Sequence, residues 1–126
     1  MAKILIVDDS RTSRRILKNI FEAEGHEIVG EATDGEVAIE MYKEKKPDVV
    51  SMDITMPVMN GIDSLKAIME YDPKARVVMV TSAGQKSKMT EAVKYGAKDF
   101  ITKPFENDTI AHVFNKVVKE DKDKDV

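Results

Sequence analysis

The chain has no cysteine, so neither a disulfide framework nor a thiolate metal site can be built from it, a composition that fits a reducing compartment. Long apolar runs are missing too. No stretch approaches a membrane span, and the opening residues MAKILIVDD turn acidic too soon for a signal peptide, so the chain reads as cytoplasmic with no membrane insertion. There is no basic excess: the formal net charge is -3 with 34% charged residues, whereas phosphate neutralisation needs clustered positive charge, which argues against generic nucleic-acid binding. Repeats and interdomain linkers are absent as well. With 126 residues, 42% of them hydrophobic, the chain fits one domain with its own core. That domain is placed at residues 1–119, with the charged segment 120–126 expected to fray.

What is present is alternation. Five short apolar runs, KILIVD (Lys3 to Asp8), EIVGEA (Glu27 to Ala32), DVVSMD (Asp48 to Asp53), RVVMVT (Arg76 to Thr81) and DFIT (Asp99 to Thr102), are separated by segments of helical period. This pattern predicts an α/β fold of (βα)5 type, a doubly wound parallel sheet. The first, third and fourth runs are nearly continuous in Val, Ile, Leu and Met, as for central strands covered on both faces, while the second and fifth are candidate edges. Apolar stripes predict five helices. They are carried by Ile16, Leu17, Ile20 and Phe21 before Gly25, by Val37, Ala38 and Met41 before Pro47, and by Ile62, Leu65, Ile68 and Met69 before Pro73. A short, weakly apolar fourth has Met89, Ala92 and Val93 before Gly96, and a fifth has Asn107 as N-cap with Ile110, Val113, Phe114, Val117 and Val118.

An open parallel sheet gathers its functional groups outside the carboxyl ends of its strands. On the predicted elements Asp8 and Asp9 end the first strand, Asp53 the third and Thr81 and Ser82 the fourth, with Lys103 following the fifth, so all fall on one rim. Three carboxylates converging there repel one another unless protons or a cation compensate them. An all-carboxylate set, with His26 and His112 outside the rim, points to Mg2+ rather than Zn2+. A carboxylate beside Mg2+ can act as a nucleophile toward phosphorus, and the aspartyl phosphate formed needs a metal, an ammonium and a hydroxyl on its three peripheral oxygens. Lys103 and Thr81 are residues of those types, which makes Asp53 the acceptor. Taken singly, each has an ordinary reading: Asp8 and Asp9 as a helix cap, Thr81 as a strand-end residue, Lys103 as a surface lysine. Met52, Met56 and Met59 around the acceptor are expected in core and loop packing.

The ordered set "ILIVDDS", "SMDITMPVMNG", "VMVTSAG" and "DFITKPF" resembles the response-regulator receiver domains, and "MDITMPVMNGIDSLKAI" with "TSAGQKSKMTEAVKYGAKDFITKPF" is similar to their single-domain chemotaxis members from archaea and from bacteria outside the enteric group. The resemblance covers nearly the whole chain. It implies a flavodoxin-like sheet of strand order 2-1-3-4-5, Asp53 as phosphoacceptor, and Mg2+ held by Asp8, Asp9, Asp53 and the backbone carbonyl of Thr55. It makes Thr81 the hydroxyl that moves toward the phosphoryl group, Lys103 its cationic partner, Phe100 the switch aromatic, and the Lys103–Pro104 peptide cis. Core packing is the competing reading of Phe100. Implied partners are a CheA-type histidine kinase and a motor switch protein or archaeal adaptor protein, met through the fourth helix, fifth strand and fifth helix, where Lys86, Lys88, Lys94 and Lys98 cluster. The implied function is a monomeric signalling switch of a two-component system, not an enzyme acting on a separate substrate.

Three rivals are weighed. A phosphorelay intermediate would share the site. An aspartyl-phosphate phosphatase of the haloacid dehalogenase kind carries a second Asp two residues after its nucleophile, where this chain has Thr55. A flavodoxin-like cofactor binder needs a hydroxyl- and glycine-rich phosphate loop after the first strand, where this chain has DDSRTSRR.

Overall fold

The computed structural model describes residues 1–124, including every side chain among them except those of residues 83 and 120–124. In chain order the elements are β1 (Lys3–Val7), α1 (Arg11–Ala23), β2 (Glu27–Ala32), α2 (Gly35–Lys45), β3 (Val49–Met52), α3 (Gly61–Tyr71), β4 (Val77–Ser82), a short 3-10 turn (Ala83–Gln85), α4 (Lys86–Lys94), β5 (Asp99–Lys103) and α5 (Asn107–Lys124). The strands form one sheet in the order β2-β1-β3-β4-β5, every neighbouring pair parallel. The apolar alternation of each strand divides the core in two. Ile4, Ile6, Val49, Val78 and Val80 meet α1 and α5 through Leu17, Ile20, Phe21, Ile110 and Phe114. Leu5, Val7, Val50, Met52, Val77 and Met79 meet α2, α3 and α4 through Tyr42, Leu65, Ile68, Met89 and Ala92 on the other face. The mixed runs β2 and β5 lie at the two edges, where only one side needs a strand partner.

Local signals explain where the helices start. Ser10 caps α1 by accepting from Ser13 N–H, Asp34 caps α2 by accepting from Glu36 and Val37, and Asn60 caps α3 by accepting from Asp63. The Asn107 cap assignment is corrected by one residue. Asn107 is the first helical residue, and the Glu106 carbonyl takes the first bond from Ile110 N–H at 3.2 Å. The last helix runs through Lys124, and residues 125 and 126, at the end of the segment expected to fray, lie outside the described residues.

The two helices α1 and α5 are bound by more than side-chain volume. Phe21 and Phe114 are fully buried, with ring centroids 4.7 Å apart at 60°. Beside them Ala2 N–H donates to His26 Nδ1 at 3.0 Å, which leaves the proton on Nε2 for Asn115 Oδ1 at 2.8 Å. Not every stripe residue is buried: Ile16 on α1 is 43% exposed and Val93 on α4 is 47% exposed. The fourth helix is thus anchored by Met89 and Ala92 alone among its buried residues. None of the described helices is long and apolar enough to cross a membrane.

Truncation should expose this difference between the two layers. Phe114→Ala is expected to cost about 3–5 kcal/mol, while Val93→Ala should stay within about 0.5 kcal/mol of the parent; urea denaturation of both variants checks it.

Candidate functional site at the carboxyl rim of the sheet

Because all strands run the same way, the residues that end β1, β3, β4 and β5 share one rim. Asp8 follows β1, Asp53 follows β3, Thr81 is the penultimate residue of β4 and Lys103 the last of β5. Asp8, Asp53 and Thr81 are buried, whereas Asp9 is exposed. Each acid is held by backbone as well as by charge. Asp53 N–H continues the sheet to the Val7 carbonyl at 2.9 Å, and its Oδ1 accepts from Ile54 N–H at 2.8 Å. Asp8 Oδ1 accepts from Ser10 N–H at 2.8 Å, and its Oδ2 lies 2.7 Å from Lys103 Nζ. The same ammonium stands 3.6 Å from Asp53 Oδ2. Ser10 is the cap of α1, so the helix-cap reading of the acidic pair does not hold.

Burial pushes the Asp53 carboxyl above its ordinary value, and the nearby Asp8 carboxylate pushes it the same way. Lys103 opposes the rise, with smaller help from the Thr81 hydroxyl and the Ile54 amide. That hydroxyl is placed beside Asp53 without completing a bond: Thr81 Oγ1 is buried and has no partner within hydrogen-bonding geometry among the described residues. Carboxylate oxygens of Asp8, Asp9 and Asp53 all fall within 4.8 Å of one another. Such an oxygen-only set fits a hard divalent cation better than a soft one.

The loop between β3 and α3 carries the rest. Thr55 is exposed on it, and its hydroxyl accepts from Gln85 Nε2 at 3.0 Å, tying this loop to the turn before α4. Met52 and Met56 are buried and Met59 is half-buried, in line with a packing role. Val58 adopts a left-handed φ of 67° with 78% of its surface exposed, a conformation that a β-branched residue takes at a cost. The loop has no slack at its far end. Gly61 N–H donates to the Ile54 carbonyl at 2.7 Å, and a Cβ on Gly61 would run into the Asp53 carbonyl. A Cβ on Gly35 would stand 2.7 Å from the Met59 carbonyl, so α2 begins flush against the same loop.

The structure brings together Asp8, Asp9, Asp53, Thr81 and Lys103. Phe100 lies outside that cluster, on edge strand β5 and 44% exposed, while its neighbour Ile101 is the buried residue. Core packing is therefore not what Phe100 does here. The Lys103–Pro104 peptide is cis. Sequence reasoning missed Arg14, whose guanidinium donates to the Asp8 carbonyl at 2.8 Å and to Glu31 Oε1 at 3.1 Å, and it missed Gln85 and Gly61. Only Gly61 left a sequence signal, as the glycine closing a proline-bearing loop.

Comparison with known proteins gives a consistent answer. The response regulator receiver domain matches residues 4–115. The chemotaxis protein CheY of Thermotoga maritima is 51% identical over 117 residues, covering 93% of this chain and 98% of that protein. The CheY of Halobacterium salinarum is 47% identical over 119 residues, covering 94% and 98%. Among solved structures, the CheX–CheY–BeF3–Mg2+ complex from Borrelia burgdorferi superimposes with a TM-score of 0.88 at 40% identity, covering 91% of this chain and 87% of that one.

The position of Asp53 sets the sign of a pH effect. A carboxyl raised in the folded state adds stability below its unfolded value, and that stability is lost as pH rises through the folded value. Asp53→Asn should therefore raise the thermal midpoint at pH 7 in metal-free buffer, with the gain shrinking below the ordinary carboxylate range; melts at the two pH values check it.

Proposed function

Since the chain belongs to the response-regulator receiver family, we propose that it is a phosphorylation-activated switch of chemotactic signalling, in which Asp53 accepts a phosphoryl group from a CheA-type histidine kinase in the cytoplasm. The observation that carries this reading is the pairing of a buried acceptor carboxylate with an ammonium 3.6 Å away and a buried hydroxyl that has no partner. The closely similar CheY proteins of Thermotoga maritima and Halobacterium salinarum support the chemotactic assignment.

In the transfer, an Asp53 oxygen attacks phosphorus and the bond from phosphorus to the donor's histidine nitrogen breaks. Lys103 already stands between Asp8 and Asp53, so its ammonium can take a phosphoryl oxygen with little travel. Thr81 supplies a donor whose hydrogen bond has not yet been made, which is the form of stabilisation that favours the product over the resting state. Asp8, Asp9, Asp53 and the Thr55 carbonyl would hold Mg2+, which when bound offsets the acidic charge and that of the phosphoryl oxygens. The chain's chemistry is confined to its own phosphorylation and dephosphorylation.

Output follows from differential stability of two states. A Thr81 hydroxyl drawn toward the phosphoryl group carries the end of β4 and the turn that leads into α4. Beyond that turn lie the exposed Val93 on α4 and Phe100 on β5, with the exposed Lys86 at the start of α4. We assign this face of α4, β5 and α5 to the partner, a motor switch protein or an archaeal adaptor. The protein acts as a monomer.

Incubation with acetyl phosphate and Mg2+ should add one phosphoryl group by intact mass, and the gain should vanish in Asp53→Asn and without metal. No adduct in the folded parent, with beryllium fluoride also failing to bind, overturns the mechanism. Thr81→Ala should keep the adduct while amide shifts in α4 fall well below those of the parent, read by NMR with beryllium fluoride.

A further inference from the structure

The acidic pair is held in two different ways. Asp8 is fixed by the sheet, with its N–H on the Ala32 carbonyl at 3.0 Å and its carboxylate on Lys103 and Ser10. Asp9 is past the last rung, exposed, and its carboxylate has no hydrogen-bond partner among the described residues. Its direction is set by the two peptide planes that flank it. The one after it is pinned where Ser10 N–H meets Asp8 Oδ1, and the one before it is pinned where the Asp8 carbonyl accepts from Arg14 at 2.8 Å. Arg14 is itself fixed, because its second nitrogen donates to Glu31 on β2 and its side chain is only 15% exposed.

We propose that Arg14 is a positioning residue for the acidic cluster: by bracing the Asp8 carbonyl it orients the Asp8–Asp9 peptide and aims the Asp9 carboxylate at Asp8 and Asp53. This rests on the reading of that cluster as the divalent-metal site. The planar fork of an arginine serves two acceptors in fixed directions, which the single ammonium of a lysine does not reproduce. Ligand-orienting partners of this kind are worth about tenfold or more in metal affinity.

Charge and geometry make opposite predictions here. A cation beside a dication site repels the metal, so removing Arg14 tightens binding if charge alone matters. It weakens binding if orientation matters.

The test titrates the full chain with Mn2+, reading free Mn2+ by electron paramagnetic resonance, for the parent, Arg14→Met and Arg14→Lys, with thermal melts to establish folding. Asp9→Asn serves as the reference for a lost ligand. Both Arg14 variants are expected to bind about tenfold more weakly. Tighter binding by Arg14→Met with Arg14→Lys unchanged overturns the proposal in favour of charge. Unchanged affinity in both, with lowered melting, overturns it in favour of a purely structural brace. Should Arg14→Met fail to fold, Arg14→Lys decides, since it keeps charge and stem and loses only the fork. A parent that binds no Mn2+, or an Asp9→Asn that binds as the parent does, removes the metal site itself and the proposal with it.

Discussion

One ammonium group between two buried carboxylates is the contact on which the rim depends. Lys103 reaches Asp8 at 2.7 Å and Asp53 at 3.6 Å, and these three residues come from strands spread across four positions of the sheet. Two carboxylates so close in a partly buried setting repel by several kcal/mol at an effective dielectric of about 20. The parallel sheet is what allows compensation, since only there do four separate strand ends open on the same side. The cis Lys103–Pro104 peptide follows the ammonium-bearing residue directly. The two-layered core beneath, divided by the alternation of each strand, keeps those ends in register.

Balance at the rim is incomplete, and the remainder is instructive. The Thr81 hydroxyl is buried beside Asp53 and completes no hydrogen bond among the described residues. The Asp53 carboxyl is raised by burial and by Asp8. Both lie at the same point of the rim, where β3 and β4 end. A resting state that is slightly dissatisfied at one atom can be tipped by a small modification there.

The sequence displayed periodicity and order, and so it displayed the architecture. Val, Ile, Leu and Met runs marked β1, β3 and β4 as central because full burial leaves no polar face to write. The rim acids, Thr81 and Lys103 could be placed together because strand ends in a parallel sheet coincide. Contacts that depend on side-chain reach were hidden. Arg14 looked like one of three arginines on a polar helix start, and nothing in its spacing reveals that it serves the Asp8 carbonyl. Asn107 was read as a cap from its residue type, but hydrogen bonding to Glu106 decides the boundary. Ile16 and Val93 were read as buried from helical spacing, yet the angular width of each packed stripe is set by the neighbouring helices.

The thin anchoring of α4 has a mechanical meaning. A helix seated by Met89 and Ala92 has little cohesive energy to surrender, whereas α1 would have to unseat Leu17, Ile20 and Phe21. Stress applied at the end of β4 divides between the elements that follow and flank it, and displacement concentrates in the most compliant of them. The compliance is local to α4 even on its own face of the sheet, where α3 buries Ile62, Leu65 and Ile68, and that would give a direction to any motion begun at the end of β4.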